Sequence, residues 1–126
     1  MKDIISSKDA PIPLGAYSQA VEARGLVFCS GQIGIDPRSG KLVSEIPEEQ
    51  TEQCLSNLEA VLRGAELSLE SIVRTTIYLT DMDDFQSVDG VYSRRFKNRA
   101  PARVAIGVTS LPKGARVEID AIAVRE

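Results

Sequence analysis

The side chains that this sequence groups for chemistry are Arg103, Glu118 and Asp120, together with the Ser30-Gly31-Gln32 triplet. There is no His, and the two cysteines, Cys29 and Cys54, show no paired ligand spacing. The usual zinc sites and imidazole-driven activation of a nucleophile are therefore not expected. Neither a metal nor a cofactor is expected, so chemistry must run on carboxylates, hydroxyls, an arginine, backbone groups and water. Ser30-Gly31-Gln32 brings a hydroxyl, bare backbone and an amide together at the end of an expected strand.

Arg103 and Glu118 belong to the two most regular stretches of the chain. Residues 101–108 and 117–124 read as β-strands, and Leu111-Pro112-Lys113-Gly114 reads as the turn joining them into a hairpin. Alternation puts Val104, Ile106 and Val108 with Val117, Ile119, Ala121 and Ala123 on an apolar face meant for helices. The other face then carries Arg103, Ala105 and Gly107 beside Glu118, Asp120 and Ile122, and reads as the floor of a site. Such a hairpin sets Arg103 opposite Ile122 and Glu118 opposite Gly107. The two charges are then offset by roughly 13 Å, too far for an ion pair. Each needs another partner: solvent, a ligand or a neighbouring chain.

The remaining elements follow from periodicity and punctuation. Ala10-Pro11-Ile12-Pro13-Leu14-Gly15 is an extended loop leading into a strand over 17–23, which turns at Arg24-Gly25 into a second strand over 26–31. Asp36-Pro37-Arg38-Ser39-Gly40 is a turn by composition. A helix starts near Pro47, with Glu48 and Glu49 at the positive end of its dipole, and buries Cys54, Leu55, Leu58, Val61, Leu62 and Ala65. A strand over 72–80 puts Val73, Ile77 and Leu79 inward. Asp81 to Asp84 cap a second helix that buries Phe85, Val88, Val91, Tyr92 and Phe96, and residues 98–101 lead on to the C-terminal hairpin.

This order specifies an α+β domain spanning residues 1–126, with a mixed sheet and both helices on one face. Nothing in the chain is left to cover the other face, so self-association is expected. Fifteen basic and eighteen acidic residues give a net charge of −3, which disfavours nucleic acid as a partner. No signal-like or membrane-spanning apolar stretch occurs, so a cytoplasmic location without membrane contact is the default. Both cysteines fall in apolar patterns and are expected reduced and buried.

Tyr17 behind its proline-led loop, Ser30-Gly31-Gln32, the turn from Asp36-Pro37 to Gly40, Pro101-Ala102-Arg103 and Val117-Glu118-Ile119-Asp120-Ala121-Ile122-Ala123 stand in a distinctive order. In this the chain resembles the Rid (reactive intermediate deaminase, or YjgF) family, from about Ala10 onward. The resemblance implies a chorismate-mutase-like α+β fold and a homotrimer with sites between subunits. It also implies hydrolysis of 2-iminobutanoate and 2-iminopropanoate to 2-oxo acids and ammonia. Carried over by position, Arg103 holds the substrate carboxylate, Glu118 positions the attacking water and Tyr17 closes the pocket. Ser30 and the Gly31 backbone line it, the Ala105 backbone hydrogen-bonds the ligand, and residue 89 lies nearby.

Three positions depart from common family patterns: Ala105 stands where many members carry Cys, Asp89 where Asn is frequent, and Glu66 where a helix-ending Gly is usual. The alternative readings are a non-catalytic protein that binds or senses small 2-oxo carboxylates, and RNA cleavage or translation inhibition. The acidic composition and the absence of His count against the last.

Overall fold

A computed structural model describes residues 1–126. The elements run β1 (Asp3–Ile5), β2 (Ala20–Ala23), β3 (Leu26–Ile33), α1 (Pro47–Arg63), β4 (Ile72–Leu79), α2 (Phe85–Arg95), β5 (Ala102–Gly107) and β6 (Val117–Val124). All six strands form one mixed sheet in the order β1-β2-β3-β6-β4-β5. The α+β order expected from the sequence holds, apart from the short N-terminal strand, which the pattern did not reveal.

The expected C-terminal hairpin does not form. β4 lies between β5 and β6, parallel to the first and antiparallel to the second. Ile77 and Leu79 of β4 are fully buried, and a strand this apolar is most stable with neighbours on both sides. β4, α2 and β5 make a parallel crossover unit, which leaves β5 at the sheet edge. The path from β5 to β6 therefore spans β4 and passes through a short 3-10 turn at Pro112–Gly114.

Insertion of β4 also reverses the face assigned to Arg103. Arg103 aligns with Thr75, and Thr75 with Ala121, so these three side chains share the helix-covered face. Val104 and Ile106, expected beneath the helices, are instead exposed on the open face. The register of β4 slips between Ile72 and Arg74, which leaves Val73 exposed and turns Ile72 inward, against the expected alternation.

The helix stripes are as the periodicity requires, except that Phe85, at the start of the second helix, is only partly buried. Cys54, Leu55, Leu58, Val61 and Leu62 have no exposed surface, and Val88, Val91 and Tyr92 are buried on α2. Both cysteines are free and buried, and burial pushes the Cys29 thiol up to about 12, with the Asp120 charge adding to the effect. Asp81 caps the 3-10 turn ahead of α2 by accepting from the Asp83 amide at 2.9 Å; Asp84, at the helix start itself, makes no side-chain cap.

Past the end of α1, Glu66 adopts φ 61°, while the Leu67 amide donates back to the Leu62 carbonyl at 2.8 Å. This is the left-handed residue of a helix stop, where a Cβ is strained. Glu66→Gly is expected to stabilise the protein by about 1 kcal/mol, read as a higher urea midpoint at unchanged m-value. Glu66→Ala keeps the Cβ and should gain nothing from this source.

Candidate functional site

A groove of about 760 Å³ opens where β3, β6 and three loops meet. Tyr17, Ser30, Gly31 and Glu118 line it, together with Ile12 and Leu14 of the proline-led loop and Arg38 and Lys113 at its edge. Four of the expected site residues are thus brought together. Arg103, Ala105 and Asp89 are not among the lining residues.

The groove owes its floor to an irregularity in β3. Cys29 aligns with Ala121 but Gln32 with Ile119, so Ser30 and Gly31 together oppose the single residue Asp120. Such a bulge bends a strand and re-aims its side chains. The strand continues to Ile33, two residues beyond its expected end. The Ser30 amide donates to the Gln19 carbonyl at 2.9 Å, and its hydroxyl donates to the Ser18 carbonyl at 2.7 Å. The hydroxyl proton is thereby committed, which leaves the oxygen free to accept.

Gly31 makes room for Glu118. A Cβ built at Gly31 would fall 1.9 Å from Glu118 Oε2, so any larger residue there would push the carboxylate out of its present place. Glu118 joins none of the ion pairs of the chain. Partial burial holds its carboxyl above the usual carboxylate range, and the charge of Asp120 on the same face adds to the effect. Asp120 is itself engaged, accepting from the Tyr78 hydroxyl at 2.9 Å.

Two buried glutamines and an asparagine hold the groove walls, a role the sequence pattern did not disclose. Gln19 accepts from the Ser7 amide at 2.6 Å and donates to the Pro11 carbonyl at 2.9 Å, which ties down the loop that carries Tyr17. Tyr17 itself precedes β2, in the loop rather than in the expected strand, and is 53% exposed. Asn57 of α1 donates to the Ile35 carbonyl at 2.9 Å and Gln50 to the Ser44 carbonyl at 2.8 Å, fixing the opposite wall. Gln50 and Asn57 fall on the buried side of α1, the one signal available, and Gln19, in a loop, carries none.

Arg103 occupies a separate place at the sheet edge, facing α2. Its guanidinium carbon lies 5.2 Å from the Phe85 ring centroid and 5.0 Å from that of Tyr92. Nη1 meets Asp89 Oδ1 at 2.5 Å. The Tyr92 hydroxyl is 2.7 Å from Thr75 Oγ1, which locks the cradle to β4. The partner that Arg103 required is thus an acidic residue of its own chain, while Glu118 stands on the opposite face. No group of three Cys, Asp or Glu residues is arranged as metal ligands would be.

The model of the endoribonuclease L-PSP family matches residues 7–125. The chain is a member of the Rid (L-PSP) family. A mouse protein named 2-iminobutanoate/2-iminopropanoate deaminase is 43% identical over 99% of this chain and 93% of its own length. Among solved structures, a Rid family protein from Yersinia pestis superposes with a TM-score of 0.97 at 43% identity, covering 99% of this chain and 100% of that one. E. coli TdcF, solved with bound serine, gives 0.94 at 35% identity, covering 98% of this chain and 99% of its own. No helix of this Rid chain is long and apolar enough to cross a membrane.

The raised affinity of Glu118 for its proton has a stability consequence. The folded chain holds that proton more tightly than the unfolded chain. Stability therefore falls as pH rises from the unfolded glutamate value, about 4.3, through the raised folded one. Glu118→Gln removes this cost. It is expected to raise Tm near neutral pH, and the gain should shrink as pH drops below about 4. Equal Tm differences at both pH values would show that the carboxylate is not destabilised by its site.

Proposed function

We propose that this chain hydrolyses short-chain 2-imino acids, such as 2-iminobutanoate and 2-iminopropanoate, to 2-oxo acids and ammonia. It does so as a cytoplasmic homotrimer with sites between subunits, using neither metal nor cofactor. The observation that carries the reading is the full-length match at 43% identity to a mouse protein named for this reaction. Serine bound to TdcF, 35% identical, supports a site for small carboxylates bearing nitrogen at C2.

The physical roles follow from the two half-sites. Arg103, clamped between aromatic faces, keeps N–H groups beyond the one that meets Asp89 and pairs with the substrate carboxylate. Glu118, partly desolvated and more basic than an ordinary carboxylate, takes a proton from water as its oxygen adds to C2. Starting from the imine protonated on nitrogen, it returns that proton to the nitrogen, then takes the remaining proton of the new C2 hydroxyl as the C–N bond breaks, so that the 2-oxo acid and ammonia leave and the last proton passes from Glu118 to solvent. Tyr17 closes the groove, Ser30 and the Gly31 backbone line it, and the Ala105 backbone completes the arginine half. Asp89 adjoins the carboxylate end.

Arg103 and Glu118 lie on opposite faces of one sheet, so the reading requires the Arg103 edge of one copy to meet the Glu118 groove of another. The open face gives such assembly a driving force, since Phe28, Val73, Val104 and Ile106 are all at least 38% exposed there or at its margin. The ribonuclease activity in the family's name draws no support from a chain with net charge −3 and no His.

Arg103→Ala is expected to abolish hydrolysis of enzymatically generated imine and to weaken 2-oxobutanoate binding by about 1.5–3 kcal/mol, with Arg103→Lys recovering little. Glu118→Gln should lower kcat by about 10²–10⁴-fold. Retained turnover in either variant defeats the assigned role. A more stringent check mixes the two inactive variants under conditions that exchange subunits. Sites between copies predict that activity returns, at roughly a quarter of the sites for random assembly. Light scattering should give a trimer mass, and a monomer mass would end the between-subunit reading.

A further inference from the structure

We propose that Asp89 and Arg103 act together as a two-charge recognition element for a zwitterion, so that the site prefers the protonated imine to the 2-oxo acid it becomes. The proposal rests on the reading above, in which Arg103 holds the substrate carboxylate, and adds to it a basis for telling substrate from product.

Asp89 Oδ1 takes one guanidinium N–H at 2.5 Å, and no other protein donor contacts Asp89. A carboxylate offers about four lone-pair positions, so most of its accepting capacity remains. The side chains of Arg103 and Asp89 are 28% and 37% exposed, respectively, within reach of a ligand. Phe85 and Tyr92 flank the guanidinium at 5.2 and 5.0 Å, which favours its place beside Asp89 when an anion arrives.

A ligand arriving here meets a positive and a negative group side by side. A 2-oxo acid carries one charge, negative; it gains from Arg103 and is opposed by Asp89. A 2-imino acid protonated on nitrogen has its iminium N–H groups next to its carboxylate, with N and O roughly 2.7 Å apart. That spacing matches the adjacent Asp89 and Arg103 groups, so the carboxylate faces Arg103 while the iminium donates to Asp89. Protonated imine is also the more electrophilic form. The same residue that selects it disfavours the anionic product and so speeds its departure.

The test compares two ligands with one carbon skeleton, L-2-aminobutanoate, a stable zwitterion, and 2-oxobutanoate, by calorimetry on the full-length wild type and Asp89→Asn. Asparagine keeps an oxygen for Arg103 Nη1 but loses the charge. The expected result is weaker aminobutanoate binding and tighter oxobutanoate binding in the variant, a change in their affinity ratio of about tenfold. Stronger product inhibition by 2-oxobutanoate should accompany it. If both affinities move by the same factor, or neither moves, Asp89 only braces Arg103 and the proposal is overturned. The Arg103→Ala variant separates the two levels: unchanged 2-oxobutanoate binding there overturns the carboxylate-holding role itself.

Discussion

Everything about the site depends on β4 being the strand between β5 and β6. Its inward side chains belong to one core cluster with residues of both helices, its backbone is hydrogen-bonded on both sides, and Thr75 reaches the Tyr92 hydroxyl on α2. With β4 in that place, β5 becomes an edge strand whose odd-numbered residues face α2, and β6 becomes a central strand whose even-numbered residues face away. Arg103 and Glu118 are separated by the thickness of the sheet as a direct result. Each is then served by its own surroundings: aromatic faces and a carboxylate for the cation, a bulge and a glycine for the anion.

The two halves differ in electrostatic character. The arginine half is internally neutralised, since Asp89 offsets Arg103 within one chain. The glutamate half is the reverse, with Glu118 and Asp120 on one face and only a tyrosine hydroxyl engaging the latter. Like charges in a partly desolvated place raise proton affinity, which suits a group meant to accept a proton. The proton-accepting role proposed for Glu118 would set a chemical use against that stability cost, a combination common where function sets residue identity.

Local signals in the sequence were sufficient wherever structure is local. The stripe from Cys54 to Ala65, the Pro47 helix start and the Arg24-Gly25 turn all depend on neighbours within a few residues, and all are present. Strand pairing depends on partners far apart in the chain. The hairpin failed because 101–108 and 117–124 are adjacent in sequence and separated in space by a strand from position 72 onward. Period-two alternation also has no means of assigning a face when small residues alternate with branched ones, as Ala105 and Gly107 do with Val104 and Ile106. The bulges at Ser30-Gly31 and Val73 interrupt the period for the same non-local reason. The grouping of Tyr17, Ser30, Gly31 and Glu118 was legible through family resemblance, whereas the Asp89 partnership with Arg103 was not.

The position of β6 bears on the timing of folding. It is the last of the six strands to emerge during synthesis, yet it lies third from one edge of the sheet and joins β3 to β4. Until it emerges, β1 to β3 with α1 and the β4-α2-β5 unit have no shared backbone pairing, and the apolar edges of both await a partner. Arg125, just beyond β6, fastens this strand to the first half, donating to both oxygens of Glu22 at 2.8 and 2.9 Å and to the Ala65 carbonyl at 2.8 Å. The sheet is therefore completed in one late, long-range step rather than strand by strand. Through that interval a nascent chain displays unpaired strand edges, the condition in which holding chaperones are most useful.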